Sequence, residues 1–259
     1  MTARSTLQVA AAQVLTTADP VTNLTLSINA IRHAASAGAE LIALPEATLA
    51  AFGSDLRAAA EPLDGPFATG LRRVAKETGV VVVAGLFEPA PDGRVHNTLL
   101  ATGPGAEASY RKIHLYDAFG SRESELVAPG DELVTFEVKG ITVGLATCYD
   151  LRFADQFTAL GRLGAELVVV PASWGAGPGK EEQWDLLTRA RASDAQAWLL
   201  ACDQARTAPV GSVPLGIGRS VLANPLGSVV VRLGSESGLL LGTIDTDLVA
   251  TTRQRVPIL

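Results

Sequence analysis

The sequence predicts an α/β protein in which helices cover mixed β-sheets, a layered sandwich built as one domain over residues 1–259. Three observations carry this. Short apolar runs, such as LIAL at 41–44 and VVVVAGL at 80–86, alternate with segments of helical periodicity, as in sheets covered by helices. Asp92-Gly93 and Lys139-Gly140 each join two apolar runs and read as hairpins, so the sheets hold antiparallel as well as parallel strands. No apolar run leads into G-x-G-x-x-G and a helix, so the dinucleotide-binding form of a doubly wound sheet fits poorly.

Taken in order, LQVAAAQ at 7–13 reads as a buried strand. A helix is expected from about 20 to 37, with Leu24, Ile28, Ile31 and Ala35 on one face and Gly38 as its stop. ELIALPE at 40–46 is a strand closed by Pro45 and Glu46. A helix at 66–78 precedes the strand 80–88, and strands at 98–103 and 108–112 follow the Asp-Gly turn. Residues 113–131 read as a loop. The hairpin 133–138 and 141–147 leads to a helix at 153–163, a strand at 166–172, a glycine-rich loop at 173–180, a helix at 181–196 and a strand at 197–203. GSVPLGIG at 211–218 lacks the Lys-Ser/Thr ending of a phosphate loop and reads as an ordinary loop. Strands near 219–223, 228–232 and 239–244 complete the chain, the first two joined by NPLG.

Composition narrows the function. Hydrophobic residues make up 47% of the chain and charged residues only 19%, ample for a core. A net charge of −6 without a basic cluster argues against nucleic acid as a partner. No run approaches 18 apolar residues and the start lacks an apolar leader, so the expectation is a cytoplasmic protein without membrane attachment. Two cysteines cannot make a disulfide framework. The histidines, His33, His96 and His114, sit at no metal-ligand spacing; His33 reads as a helix-surface residue and His114 as a supporting polar group.

Cys148 ends an apolar run in GLATCYDLRF and precedes a predicted helix. A small buried hydrophobe is one reading. The other is a nucleophile whose thiolate the helix N-terminus favours, with the Tyr149 N–H facing an oxyanion. With no histidine motif nearby, its base must be another residue. Glu46 also ends an apolar run and Lys112 ends the predicted strand ASYRK, strand-end positions where a carboxylate can carry a proton and an ammonium can stabilise an oxyanion. Singly, each is more often a surface charge.

Together, LPEA around Glu46, YRKIHLYD around Lys112 and ATCYDLRF around Cys148, in that order, resemble the nitrilase superfamily of carbon–nitrogen hydrolases, most closely its amidase and Nit-like branch. The likeness runs from VAAAQ through VVPASW, RARASDAQ and NPLG. It implies a four-layer α-β-β-α sandwich, a catalytic set of Glu46, Lys112 and Cys148, no metal or organic cofactor, and a homodimer or larger homo-oligomer. It also implies a second glutamate between lysine and cysteine, Glu123 in SRESELVAPGD, with Glu125 as the alternative, and a place for Trp174 beside the substrate, against a plain core tryptophan. Arg152 is expected either to orient acidic groups at the site or to form a structural salt bridge. The implied reaction is hydrolysis of a small carboxamide to carboxylate and ammonia through a cysteine thioester. Nitrile and N-carbamoyl amide hydrolysis are the variants. A thiol redox pair of Cys148 and Cys202 is the reading from another class; lacking C-x-x-C, Cys202 reads as a core residue.

Overall fold

The computed structural model describes residues 6–206 and 215–259. The elements in order are β1 (Thr6–Gln13), α1 (Pro20–Ser36), β2 (Leu41–Ala43), α2 (Leu56–Ala59), α3 (Pro66–Thr78), β3 (Val81–Pro89), β4 (Val95–Gly103), β5 (Ala106–Arg111), β6 (Thr135–Val138), β7 (Ile141–Leu145), α4 (Ala154–Arg162), β8 (Leu167–Ala172), α5 (Lys180–Ala195), β9 (Trp198–Asp203), β10 (Val221–Ala223), β11 (Val229–Arg232), β12 (Gly238–Asp245) and α6 (Thr246–Arg255).

They form two six-stranded sheets, β12-β1-β2-β3-β4-β5 and β11-β10-β9-β8-β7-β6. Each has a parallel centre (β1-β2-β3 and β7-β8-β9) flanked by antiparallel strands. The period-2 side-chain alternation of a strand sorts the core into layers. Val81 and Val83 of β3, with Leu7, Val9 and Ala11 of β1, join Leu99, Val143, Val169 and Leu200 in the core between the sheets. Val82, Ala84 and Leu86 point the other way, onto Ile31 of α1 and Phe67 and Leu71 of α3. On the second sheet Val168, Val170, Leu199 and Ala201 meet Phe157 and Leu160 of α4 and Trp184 of α5. The four layers are therefore α-β-β-α.

Local chemistry sets the boundaries. Asp19 caps α1 through the N–H of Val21 and Thr22, and Gly38, at φ 88°, leaves the helix in the left-handed region that suits glycine. Lys139 (φ 52°) and Gly140 (φ 79°) are both left-handed, the two-residue turn that matches strand twist. α6 has no counterpart in the sequence reading: TDLVATTRQR buries only Val249 and Thr252, too few apolar positions for a visible stripe. β2 is shorter than expected, because the chain leaves the sheet after Ala43 to carry Leu44, Pro45 and Glu46 over the strand ends. Of the glycine-rich loop 211–218, residues 211–214 lie outside the described residues, and 215–218 are neither helix nor strand. No helix among the described residues is long and apolar enough to cross a membrane.

Candidate active site

Ligand sites in sheets with parallel strands form at the carboxyl ends of those strands. Here β2 leads to Glu46, β7 to Cys148, β8 to Ser173, and β9 ends at Asp203. Glu46 is fully buried and Lys112 only 2% exposed, against the surface placement usual for such residues.

Three donors hold the Glu46 carboxylate. Oε1 accepts from Asn97 Nδ2 at 2.7 Å and from Lys112 Nζ at 3.0 Å, and Oε2 accepts from the Ser173 N–H at 2.9 Å. The same carboxylate and the Ser173 N–H lie close enough to the Cys148 thiol to act on its ionisation, in opposite directions. Lys112 Nζ contacts Glu123 at 3.1 Å (Oε1) and 3.0 Å (Oε2). Glu123 Oε2 accepts the Tyr116 N–H at 2.6 Å. Glu125 is 70% exposed beside Arg122, so Glu123 is the glutamate placed against the lysine.

Electrostatics follow from this packing. Burial disfavours the charged ammonium of Lys112, but the carboxylates of Glu123 and Glu46 outweigh it and hold the group well above the usual lysine range. For Cys148, burial and then the Glu46 carboxylate push the thiol well above the usual cysteine range, and Lys112 offsets this only in part. The expectation that a helix end favours thiolate is thus corrected. Cys148 opens a five-residue 3-10 turn, Cys148–Arg152, and α4 begins only at Ala154, so no long helix dipole reaches the sulfur.

Backbone geometry fixes the site. Cys148 has φ 45° and Ala47, just after Glu46, has φ 56°, left-handed conformations that cost a side-chain-bearing residue about 1–2 kcal/mol. Gly85 on β3 lies under the Glu46 segment. A Cβ there would stand 2.7 Å from Ala47 N and 2.8 Å from Glu46 Cα. Asp150 ties the two halves: it accepts from Tyr110 OH (2.6 Å) and the N–H of His114 (3.1 Å) beside Lys112, and from the Thr147 N–H (2.9 Å) beside Cys148. His114 Nδ1 meets the same carboxylate at 2.9 Å and its ring stacks on Phe153, the supporting place expected of it. Arg191 Nε, from the RARASD helix, donates to Leu151 O at 2.7 Å and braces the cysteine turn.

Tyr149 packs edge-on against Tyr116, and its backbone N–H donates to no protein oxygen among the described residues. Trp174 is buried in the helix-side core against Trp184, and its ring borders the cations of Arg152 (5.1 Å) and Lys180 (5.7 Å). Arg152 forms neither contact expected of it. Among the described residues it pairs with no acid, but donates to Gln183 and lies over Tyr149 and Trp174. Cys202 is buried in the inter-sheet core, its Sγ facing Ala12 O at 3.4 Å, while Cys148 belongs to the helix-side cluster, and both thiols are free. The redox reading gains no geometric support. His33 is exposed on α1. Among the described residues no group of three His, Cys, Asp or Glu is placed to hold a metal. Sequence reasoning missed Asn97, Asp150 and Ser173. A polar Asn inside an apolar strand was the signal for the first; the Ser173 backbone donor left no signal.

Two mixed sheets facing each other between helical layers, with strand ends converging on buried polar groups, define a hydrolase of the nitrilase fold. The family model for carbon-nitrogen hydrolases matches residues 8–254, and the chain belongs to that family. It is 50% identical over 264 residues to the Mycobacterium tuberculosis hydrolase Rv0480c, covering 98% of this chain and 94% of the relative. Human omega-amidase NIT2 is 33% identical over 244 residues, 91% of this chain and 87% of the relative. The crystal structure of Saccharomyces cerevisiae Nit3, in branch 10 of the nitrilase superfamily, superposes with a TM-score of 0.86 at 25% identity, covering 98% of this chain and 95% of that one. The chain is a carbon–nitrogen hydrolase of the amidase type.

Proposed function

We propose that this enzyme hydrolyses a small carboxamide to carboxylate and ammonia through a thioester on Cys148. The observation that carries the reading is the Glu46 carboxylate, held by Asn97, Lys112 and the Ser173 N–H beside the thiol. Its likeness to an omega-amidase supports a terminal amide as the bond cleaved.

A protonated thiol is a poor nucleophile, so a base must act in the step itself. Glu46 takes the Cys148 proton as sulfur attacks the amide carbon, and the carbonyl oxygen becomes an oxyanion. The Tyr149 N–H and the Lys112 ammonium stabilise it. Lys112 has three N–H donors and three carboxylate contacts; the longest, to Glu123 Oε1, gives way as the oxyanion forms. Glu46 returns the proton to nitrogen, the C–N bond breaks and ammonia leaves. Glu46 then deprotonates a water that attacks the thioester, the C–S bond breaks, and sulfur takes back the proton. Glu123 holds Lys112 in place throughout.

Intact-protein mass spectrometry after rapid quench tests the thioester. An amide substrate is expected to add its acyl mass to Cys148, and hydroxylamine to divert it to a hydroxamate. Cys148→Ala is expected to abolish turnover with the fold retained, whereas Cys202→Ala keeps most activity. Turnover with no adduct and no hydroxamate would replace the covalent route with direct water attack; ammonia release from nitriles alone would replace the amide.

A further inference from the structure

Asp203 is a buried acid that the amide hydrolysis itself does not use. It closes β9, is fully buried, and forms no ion pair among the described residues. Its Oδ1 accepts the Trp174 N–H at 2.7 Å and its Oδ2 the Ile217 N–H at 2.9 Å. Burial pushes the carboxyl well above the usual carboxylate range against the pull of three N–H groups, those of Trp174, Ile217 and Gln204, and the Glu46 carboxylate adds to the rise. A buried acid without a cation is costly, so a position that needed only filling has no use for one. A neutral amide would not serve in its place. Both oxygens face N–H donors, whereas asparagine has one acceptor and would turn its NH2 on the other donor.

The groups it holds lead to the site. Trp174 follows Ser173, and fixing the Trp174 N–H orients the planar peptide that leaves Ser173. The Ser173 N–H, one peptide earlier, donates to Glu46 Oε2 at 2.9 Å and draws the Cys148 thiol back toward the usual cysteine range. Ser173 is pinned a second time, because its Oγ donates to Leu215 O, two residues before Ile217. One carboxylate thus ties the end of β8 to the segment 215–218. That segment has no slack: a Cβ at Gly216 would stand 2.3 Å from Gln204 O, and the Gly218 N–H donates to the same oxygen at 2.9 Å. Gln204, next to Asp203, donates its Nε2 to Glu46 O at 3.2 Å. The end of β9 therefore reaches Glu46 twice, through Gln204 to its backbone and through Asp203 and Ser173 to its carboxylate.

We propose that Asp203 is a positioning residue whose two oxygens grip the Trp174 and Ile217 N–H groups and so aim the Ser173 N–H at the Glu46 carboxylate and the Cys148 thiol. The inference rests on the amide-hydrolase reading and adds to it a residue that touches neither substrate nor reacting atoms. The Ser173 N–H does two things at the site. It holds the base in place, and it opposes the rise that burial imposes on the thiol. Losing the grip should slow the chemical step and make the thiol harder to ionise.

Asp203→Asn tests it, with Ser220→Ala as the control, both made with Cys202→Ala so that Cys148 is the one thiol. Ser220 Oγ accepts the Asp203 N–H at 3.0 Å, so the control disturbs the same buried spot and spares the carboxylate. Asp203→Asn is expected to lower kcat for ammonia release from butyramide by about 10–100-fold, as for losing a hydrogen bond to a charged group. KM should stay within roughly threefold, because the contact acts on the chemical step. The pH midpoint of Cys148 alkylation by iodoacetamide should rise. Ser220→Ala should leave kcat and midpoint near those of the parent, with urea midpoints comparing the stability of the two variants. Asp203→Ser, which keeps one acceptor and brings no NH2, carries the same expectations if the asparagine variant does not fold. A loosened core or the lost charge alone would lower the alkylation midpoint, so a midpoint that falls or stays unchanged overturns the proposal, as do equal kcat losses in variant and control. Alkylation needs no turnover. If no carboxamide releases ammonia yet the midpoint rises without the carboxylate, hydrolysis fails and the positioning role stands. If butyramide turns over while kcat and midpoint are both independent of Asp203, hydrolysis stands and this inference fails.

Discussion

Cys148 keeps its proton near neutral pH because burial and the Glu46 carboxylate both oppose a thiolate. The base proposed to activate the sulfur also suppresses it at rest, and the two effects can be separated. Glu46→Gln should cut turnover by about 10²–10⁴-fold, the range for losing a general base. The same change removes a negative neighbour, so the pH at which iodoacetamide begins to alkylate Cys148 should move down. An unchanged or higher alkylation midpoint would show that Glu46 does not face the thiol. Asn97→Leu keeps the side-chain volume but removes the 2.7 Å donor to Glu46; kcat should drop about tenfold, as for a hydrogen bond to a charged group worth about 1.5 kcal/mol. Glu46, Lys112 and Cys148 were legible in sequence through their three motifs taken in order, since each residue alone reads as a surface charge or a small core hydrophobe. Asp150 was in view within the cysteine motif, but its role was not. Its partners Tyr110, His114 and Thr147 come from both sheets, and pairing across such distances leaves no local pattern.

At the scale of elements, boundaries followed apolar periodicity and turn chemistry, and α3 matches its expected span of 66–78. What stayed hidden was what tertiary packing decides: the early departure of β2, the 3-10 turn after Cys148, and α6 with its sparse apolar face. Gly85 belongs to this group. Inside VVVVAGLFE it reads as a weak strand residue, and only the crossing Glu46 segment explains it. Gly85→Ala should press a methyl into that backbone, costing about 1–3 kcal/mol by overpacking. Misplacing the carboxylate should cost about 10²-fold in turnover. A urea midpoint and a kcat measured on the same sample would read both, and full activity would mean the segment has room to spare.

Across the whole molecule, protons link the site and the core to stability. Cys148 and Cys202 are both held well above the ordinary thiol range, mainly by burial. The folded protein therefore keeps protons that the unfolded chain releases above about pH 8.5. By linkage, this stability is fully present below that pH and falls as pH rises, by about 1.4 kcal/mol per unit for each thiol. Urea midpoints at pH 7.5 and 9.5 should show the decline, and Cys202→Ala should flatten it; a slope that this variant leaves unchanged would assign the loss to other groups. Assembly is open to measurement as well. Leu163, Leu186, Val256 and Ile258 are exposed apolar side chains, and light scattering at micromolar concentration should give at least a dimer, with a monomeric mass removing that expectation.

Asn97 lies in the first sheet, and Glu46 and Lys112 follow its strands β2 and β5, whereas Cys148 and Ser173 follow β7 and β8 of the second. Neither half of the chain owns a working centre. A partly folded molecule, with its sheets apart, would carry an ordinary thiol, open to any passing electrophile and harmless to any amide. Closing the sandwich does both jobs at once: it quiets the sulfur towards stray reagents and supplies the partner that wakes it for a substrate. The fold thus acts as a safety catch, and reactivity towards alkylators should report unfinished chains while ammonia release reports finished ones.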